Sequence, residues 1–261
     1  MPANIHNIRC GNGSEQITLL HGWGFNGAIW KETAERLASH ASINCIDLPG
    51  HGLSPMPANH YNIETLAELV AETLPEQGNL VGWSLGGMVA MQIALRYPQK
   101  VKRLILVGSV ARFVRDDDWR YAISTEILQD FSAALNSDLH QTLERFVALQ
   151  IMGSDESRTI LRKLRELMSS NRAPNPAALQ GGLKILQTVD LRQQLPQLQQ
   201  PTLMIFGKHD TLARPQTARQ MLALLPNAQL EIIDGAGHAP FLSHKERFTQ
   251  LVEQFIKEKQ P

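Results

Sequence analysis

The stretch LVGWSLGGMVAMQIAL, Leu80 to Leu95, places a serine between two spaced glycines, after a short apolar run and before a longer one. Asn79–Trp83 reads as a strand, and Leu85–Arg96 as a helix that Pro98 stops. Ser84 therefore stands on a strand-to-helix turn. Such a turn lifts a side chain to the top of a sheet, and glycines at 82 and 86 remove Cβ atoms that would crowd it. The helix that follows aims its free N–H groups and its positive dipole end at the same point. A nucleophilic serine needs that exposure, together with an activating base and donors for an oxyanion. The competing reading is a glycine-rich turn whose serine caps the helix. The rest of the chain decides between them.

Outward from this stretch, short apolar runs alternate with amphipathic helical patterns. Ile17–Leu20 reads as a strand, followed by the loop His21–Asn26 and a helix over about 28–39. Ile43–Ile46 is a second strand, ending in the loop DLPGHGLS, and Ile63–Leu74 is helical by spacing. After the central stretch come strands at Val101–Val107, Thr202–Gly207 and Ala228–Asp234, with helices over about 215–225 and 245–257. This alternation predicts βαβ units and a mostly parallel sheet with helices on both faces. Residues 111–200 break the rhythm. LHQTLERFVALQIM and SRTILRKLRELM are helical by spacing, and the segment has no convincing strand. The expected organisation is a core of residues 1–110 and 201–261, with a helical insertion at 111–200.

A catalytic serine on such a sheet calls for an acid and a histidine further along the chain, in that order. FGKHD places Asp210 just beyond the strand Thr202–Gly207, and DGAGHAPF places His238 just beyond Ala228–Asp234. Both sit at carboxyl ends of strands, where catalytic groups collect in a doubly wound sheet. Asp234 is the rival acid, but it shares a strand end with His238 and is poorly placed to reach the far imidazole nitrogen. The oxyanion donors are expected to be the N–H of Leu85 and an N–H from the loop HGWGFN, with Trp23 the natural choice.

LLHGWG, DLPGHGLS, GWSLGG, GKHD and GAGHAPF together resemble the α/β-hydrolase fold family. The likeness covers the chain on both sides of the insertion, which corresponds to the family's helical lid. ERFVALQIMG and GGLKILQTVDLR are similar to the lid of that family's biotin-pathway esterases. The resemblance implies a serine esterase that hydrolyses the methyl ester of pimeloyl-acyl carrier protein and needs no metal or organic cofactor. It also implies an apolar substrate pocket, for which Trp23, Leu85, Phe146, Gln150 and Leu212 are the candidates. An acidic carrier protein as partner calls for a basic docking patch, for which Arg145, Arg158 and Arg162 are the candidates, with Arg165 beside them. Another small serine hydrolase, or a catalytically dead binding module on the same fold, are the competing readings.

Composition fits an enzyme of this kind. The 261 residues are 43% apolar, enough for one large core, and 25 Lys and Arg balance 25 Asp and Glu. Zero net charge argues against a general nucleic-acid binder. Cys10 and Cys45 form no metal motif and suit a reducing compartment. The N-terminal residues lack a signal-peptide pattern, and no run approaches the roughly 18 apolar residues of a membrane span. The expectation is a cytoplasmic protein.

Overall fold

The computed structural model describes residues 4–151, 157–170 and 173–258. Its centre is a seven-stranded sheet in the order β1-β3-β2-β4-β5-β6-β7. The strands are β1 (Asn7–Cys10), β2 (Glu15–Leu20), β3 (Ala41–Ile46), β4 (Gly78–Trp83), β5 (Val101–Val107), β6 (Thr202–Gly207) and β7 (Ala228–Ile233). All pair in parallel except β1, which runs antiparallel to β3 along the edge. β4, β5 and β6 are almost wholly buried, as central parallel strands covered on both faces must be.

The chain order fixes where the helices go. From β2 the chain moves to β3 through α1 (Lys31–Leu37). It then turns back through α2 (Ile63–Ala71) to β4, and on through α3 (Leu85–Arg96) to β5. Such crossovers are right-handed, so the reversal puts α1 on one face and α2 and α3 on the other. The last helix, α10 (Lys245–Lys257), packs on α1, while α2 packs on α3. The strand order reverses between β2 and β4, where the crevice of such a sheet lies. Their carboxyl ends carry the His21–Trp23 loop and Ser84 respectively, and Leu20 stands opposite Gly82 in the ladder.

The insertion between β5 and β6 contains α4 (Thr125–Ser137), α5 (Leu139–Ile151), α6 (Ser157–Ser170) and α7 (Pro176–Thr188). Its two stems are clasped where they leave the sheet. Leu191 N–H donates to Ala111 O at 3.0 Å. Arg112 meets Asp190 at 2.8 Å, and Arg192 binds Asp190 and Asp118 while lying over the Trp119 ring. On the other side Glu32 of α1 takes Lys163 from α6 and Lys245 from α10. Two short helices, α8 (Pro215–Leu222) and α9 (Pro240–Ser243), complete the fold.

Two differences from the sequence expectation have simple causes. The helix expected over about 28–39 begins as a 3-10 turn at Gly27–Trp30, capped by Asn26, before α1 starts. β1 gave no strand pattern because it is an edge strand with little to bury, and Ile8 is 45% exposed. Among the described residues no helix is long and apolar enough to cross a membrane.

Candidate active site

Ser84 occupies the turn between β4 and α3 with φ 54° and ψ −119°. That left-handed conformation costs a non-glycine residue about 1–3 kcal/mol, and the packing around it holds it there. A Cβ on Gly82 would come within 2.4 Å of the Gly86 carbonyl oxygen, and one on Gly86 within 2.5 Å of the His21 oxygen. Only glycine permits strand, turn and helix to close this tightly. The Ser84 N–H donates to Val107 O at 3.0 Å, and Ser109 Oγ donates to Ser84 O at 2.7 Å. The elbow is thereby bonded to β5 and to Ser109, two residues beyond it.

His238 and Asp210 form a buried pair. Nδ1 of His238 lies 2.8 Å from Asp210 Oδ2, and both side chains are wholly buried. The other carboxylate oxygen accepts the N–H groups of Leu212 and Ala213 at 2.9 and 2.8 Å. The turn after β6 thus aims the carboxylate at the ring. Trp83 Nε1 donates to His238 O at 2.9 Å, and Gly108 leaves room for the imidazole, which a Cβ there would meet at 3.0 Å. These contacts bring His238 beside the elbow of Ser84. Nε2, the nitrogen turned away from Asp210, is buried with no hydrogen-bond partner among the described residues. Asp234 is elsewhere: its carboxylate is 83% exposed and pairs with Lys208 at 2.8 Å.

The expected oxyanion residues flank the serine. Leu85 opens α3, so its N–H has no partner within the helix. Trp23 follows the end of β2, with its ring wholly buried and Nε1 donating to Leu179 O of α7 at 2.8 Å. Gly182 of α7 lies against both Trp23 and Leu85. Phe146 of α5 meets the Trp23 ring edge-on at 4.6 Å. One turn further, Gln150 O accepts the N–H of His238 at 3.0 Å, and Gln150 Nε2 bonds to Phe146 O. Leu212 is buried on the turn that holds Asp210. The five expected pocket residues therefore converge on the elbow and the acid turn. An apolar cavity of about 410 Å³, lined by other residues, lies between the loop after β2 and the insertion, walled by Phe25, Ile29, Leu143 and Leu167, with Glu144 and Arg165 among its polar lining.

The arginines are placed less uniformly. Arg145, Arg158 and Arg162 are all exposed. Arg162 faces Glu166 at 3.8 Å, while Arg165 reaches across to Glu144 of α5 at 2.9 Å. Arg158 and Arg162 share a shallow depression on α6 with Leu161.

Residues 17–245 match the alpha/beta hydrolase fold. The chain belongs to that family. Among relatives of this α/β hydrolase, the pimeloyl-[acyl-carrier protein] methyl ester esterase of Aeromonas hydrophila is 41% identical over 249 residues, covering 95% of this chain and 97% of that one. The protein of the same name from Nitrosomonas europaea is 41% identical over 251 residues, covering 96% and 99%. Among solved structures, an esterase from Exiguobacterium antarcticum superposes with a TM-score of 0.90 over 98% of both chains, at 24% identity, which speaks to the fold.

Sequence reasoning passed over the frame behind the loop that follows β2 in this hydrolase. Asp47 accepts the N–H groups of Gly27 and Leu53 and meets His6 Nδ1, all within 2.9 Å. His21 and His51 lie beside it with ring centroids 5.2 Å apart. The signal was present in the HG and DLPGHG motifs, but it concerns loop geometry and bears on no reacting atom.

Proposed function

We propose that the chain is a serine carboxylesterase that hydrolyses the methyl ester of pimeloyl-acyl carrier protein. The observation that carries the chemistry is the buried Asp210–His238 bond beside the strained elbow of Ser84. The substrate is taken from the relatives' names, which match over nearly the whole chain.

In this reading His238 Nε2 takes the proton of Ser84 as Oγ attacks the ester carbonyl. Asp210 holds the Nδ1–H tautomer and stabilises the imidazolium that forms. The N–H groups of Trp23 and Leu85 bind the oxyanion. Collapse of the tetrahedral intermediate expels methoxide, which takes the proton from His238 and leaves as methanol. Water, activated by the same histidine, then attacks the acyl-enzyme, and Ser84 recovers its proton as the free acid departs. Every transfer is made by the chain's own groups, so the sequence of steps uses no cofactor.

Trp23, Leu85 and Phe146 supply apolar surface for the methylene chain, while Gln150 and Leu212 border the catalytic pair. The inserted helices act as the lid, Arg145, Arg158 and Arg162 receive the acidic carrier protein, and the enzyme works in the cytoplasm with that partner. The test is growth without biotin of a strain lacking its own pimeloyl-ester esterase. The wild-type chain should restore growth and Ser84→Ala should not, with hydrolysis by the purified variant down at least about a thousandfold. Failure of the wild type to rescue, with hydrolysis of simple esters intact, would move the substrate elsewhere.

A further inference from the structure

The peptide that joins Gly22 to Trp23 carries two polar groups. Its N–H belongs to Trp23 and is the second oxyanion donor of the proposed mechanism. Its C=O belongs to Gly22, and the His21 ring meets that oxygen through Nδ1 at 2.8 Å. The other ring nitrogen accepts the N–H of Leu48 at 2.9 Å. A nitrogen that accepts is bare, so the proton of the neutral ring is on Nδ1, and Nδ1–H donates to Gly22 O. Burial keeps the ring neutral: it brings the His21 pKa down to about 4, outweighing the bond to Gly22, which favours the charged form.

We propose that His21 is a positioning residue of the esterase reaction, whose Nδ1–H holds the Gly22–Trp23 peptide so that the Trp23 N–H faces the developing oxyanion. The inference rests on the reading of Trp23 as a donor. A trans peptide is planar, with its C=O and N–H pointing in opposite directions. Fixing the oxygen at one side therefore fixes the direction of the N–H at the other. A hydrogen bond to the carbonyl also polarises the same peptide and strengthens its N–H as a donor. The far end of the ring is held by a rigid frame. Leu48 follows Asp47, whose carboxylate is bonded to the N–H groups of Gly27 and Leu53. On the near side, α3 closes on the carbonyls of Leu20 and His21 at Gly86. The loop is thus clamped between the elbow and the Asp47 frame, with the imidazole as the bridge.

Two variants separate this role from simple scaffolding. In His21→Asn the amide nitrogen replaces Nδ1 and can still donate to Gly22 O, while the bond from Leu48 is lost. In His21→Gln the longer amide reaches Leu48 and the His21 donor to Gly22 O is lost, leaving that oxygen only the longer bond from the Phe25 N–H at 3.4 Å. Losing a whole oxyanion donor costs about 10²–10³ in kcat, so losing its alignment should cost His21→Gln about tenfold or more in kcat on a simple methyl ester, with KM nearly unchanged. His21→Asn should stay within about threefold of wild type. A scaffolding role would instead lower Tm in both and leave their kcat values alike, or would favour Gln, which keeps the link between loops. The tautomer can be read without any variant from the ¹⁵N shifts of histidine-labelled protein near neutral pH. A proton on Nδ1 is expected at His21, and a proton on Nε2 would overturn the proposal. An active, Ser84-dependent enzyme indifferent to His21→Gln would sink this inference alone. A chain without Ser84-dependent esterase activity would sink the reading of the site, and this inference with it.

Discussion

Asp210 and Asp234 are the same side chain at the ends of neighbouring strands, and their surroundings assign them different work. Asp210 is buried, receives two backbone N–H groups on one oxygen and offers the other to His238. Asp234 stands in solvent, where hydrogen bonding to Lys208 lowers its pKa. Asp210→Asn should lower kcat by orders of magnitude, on the order of 10⁴, because an amide can donate to Nδ1 and fix the wrong tautomer. Asp234→Asn should change kcat less than about twofold, since an exposed ion pair contributes little. Steady-state kinetics of the two variants on one methyl ester decide it, and the reverse ranking would remove Asp210 from the mechanism. These residues were legible because the elbow, GKHD and GAGH each tie a residue type to a strand end. The proposed orientation of the Trp23 N–H was not legible, because it rests on Leu48 meeting His21 across two loops.

At the scale of elements, α5 joins the insertion to the site, and α6 packs against α5. Phe146 of α5 packs on Trp23, and the Gln150 carbonyl near the end of that helix accepts the N–H of His238. Helical spacing predicted that these helices exist, and Phe146 and Gln150 fall one turn apart as expected. The spacing carried no information on which core residue each would touch, since such contacts join segments far apart in the chain. Nor did it reveal that Arg165 would be drawn to Glu144, leaving Arg158 and Arg162 as the α6 part of the proposed docking patch. Both are solvated, so they should act on encounter with an acidic carrier more than on chemistry. Reversing both to Glu should raise KM for the carrier-bound ester about tenfold or more at low salt, with the gap narrowing as ionic strength rises. A small free ester should be hydrolysed as before. Equal losses on both substrates would indicate a damaged insertion, and no loss on either would take the docking role from these arginines.

The whole molecule is built around a switch point, and it buries two histidines there. His21 opens the loop after β2 and His51 lies beside it, and burial lowers both, to about 4 and about 3, with His21 adding to the effect on His51. In the unfolded chain each returns to the ordinary value near 6.5. Below pH 6.5 the unfolded state therefore binds protons that the native state refuses, and stability falls as pH falls. The contribution is fully present above pH 6.5. Each histidine removes up to about 1.4 kcal/mol per pH unit until its folded value is reached, at about 4 or about 3. Glu32 and Asp190 act lower down. Burial raises both, but hydrogen bonds from Lys163 and Lys245, and from Arg192 and Arg112, outweigh it and bring them to about 2. Their stabilisation is present above the ordinary carboxylate range and is lost as pH falls through it towards 2. Between pH 6 and 5 the slope should thus be governed by the buried histidines, and nearer pH 3 by the ion pairs that clasp the insertion. His51→Gln, which stays neutral at every pH, isolates the first effect. Urea unfolding at pH 8.5, 7.5, 6, 5.5 and 5 should give a stability curve for His51→Gln that is flatter than wild type by about 1 kcal/mol per pH unit or somewhat more below pH 6. The two curves should run parallel above pH 7. Equal slopes between pH 6 and 5 would mean that His51 takes up its proton in the folded enzyme, contrary to its burial.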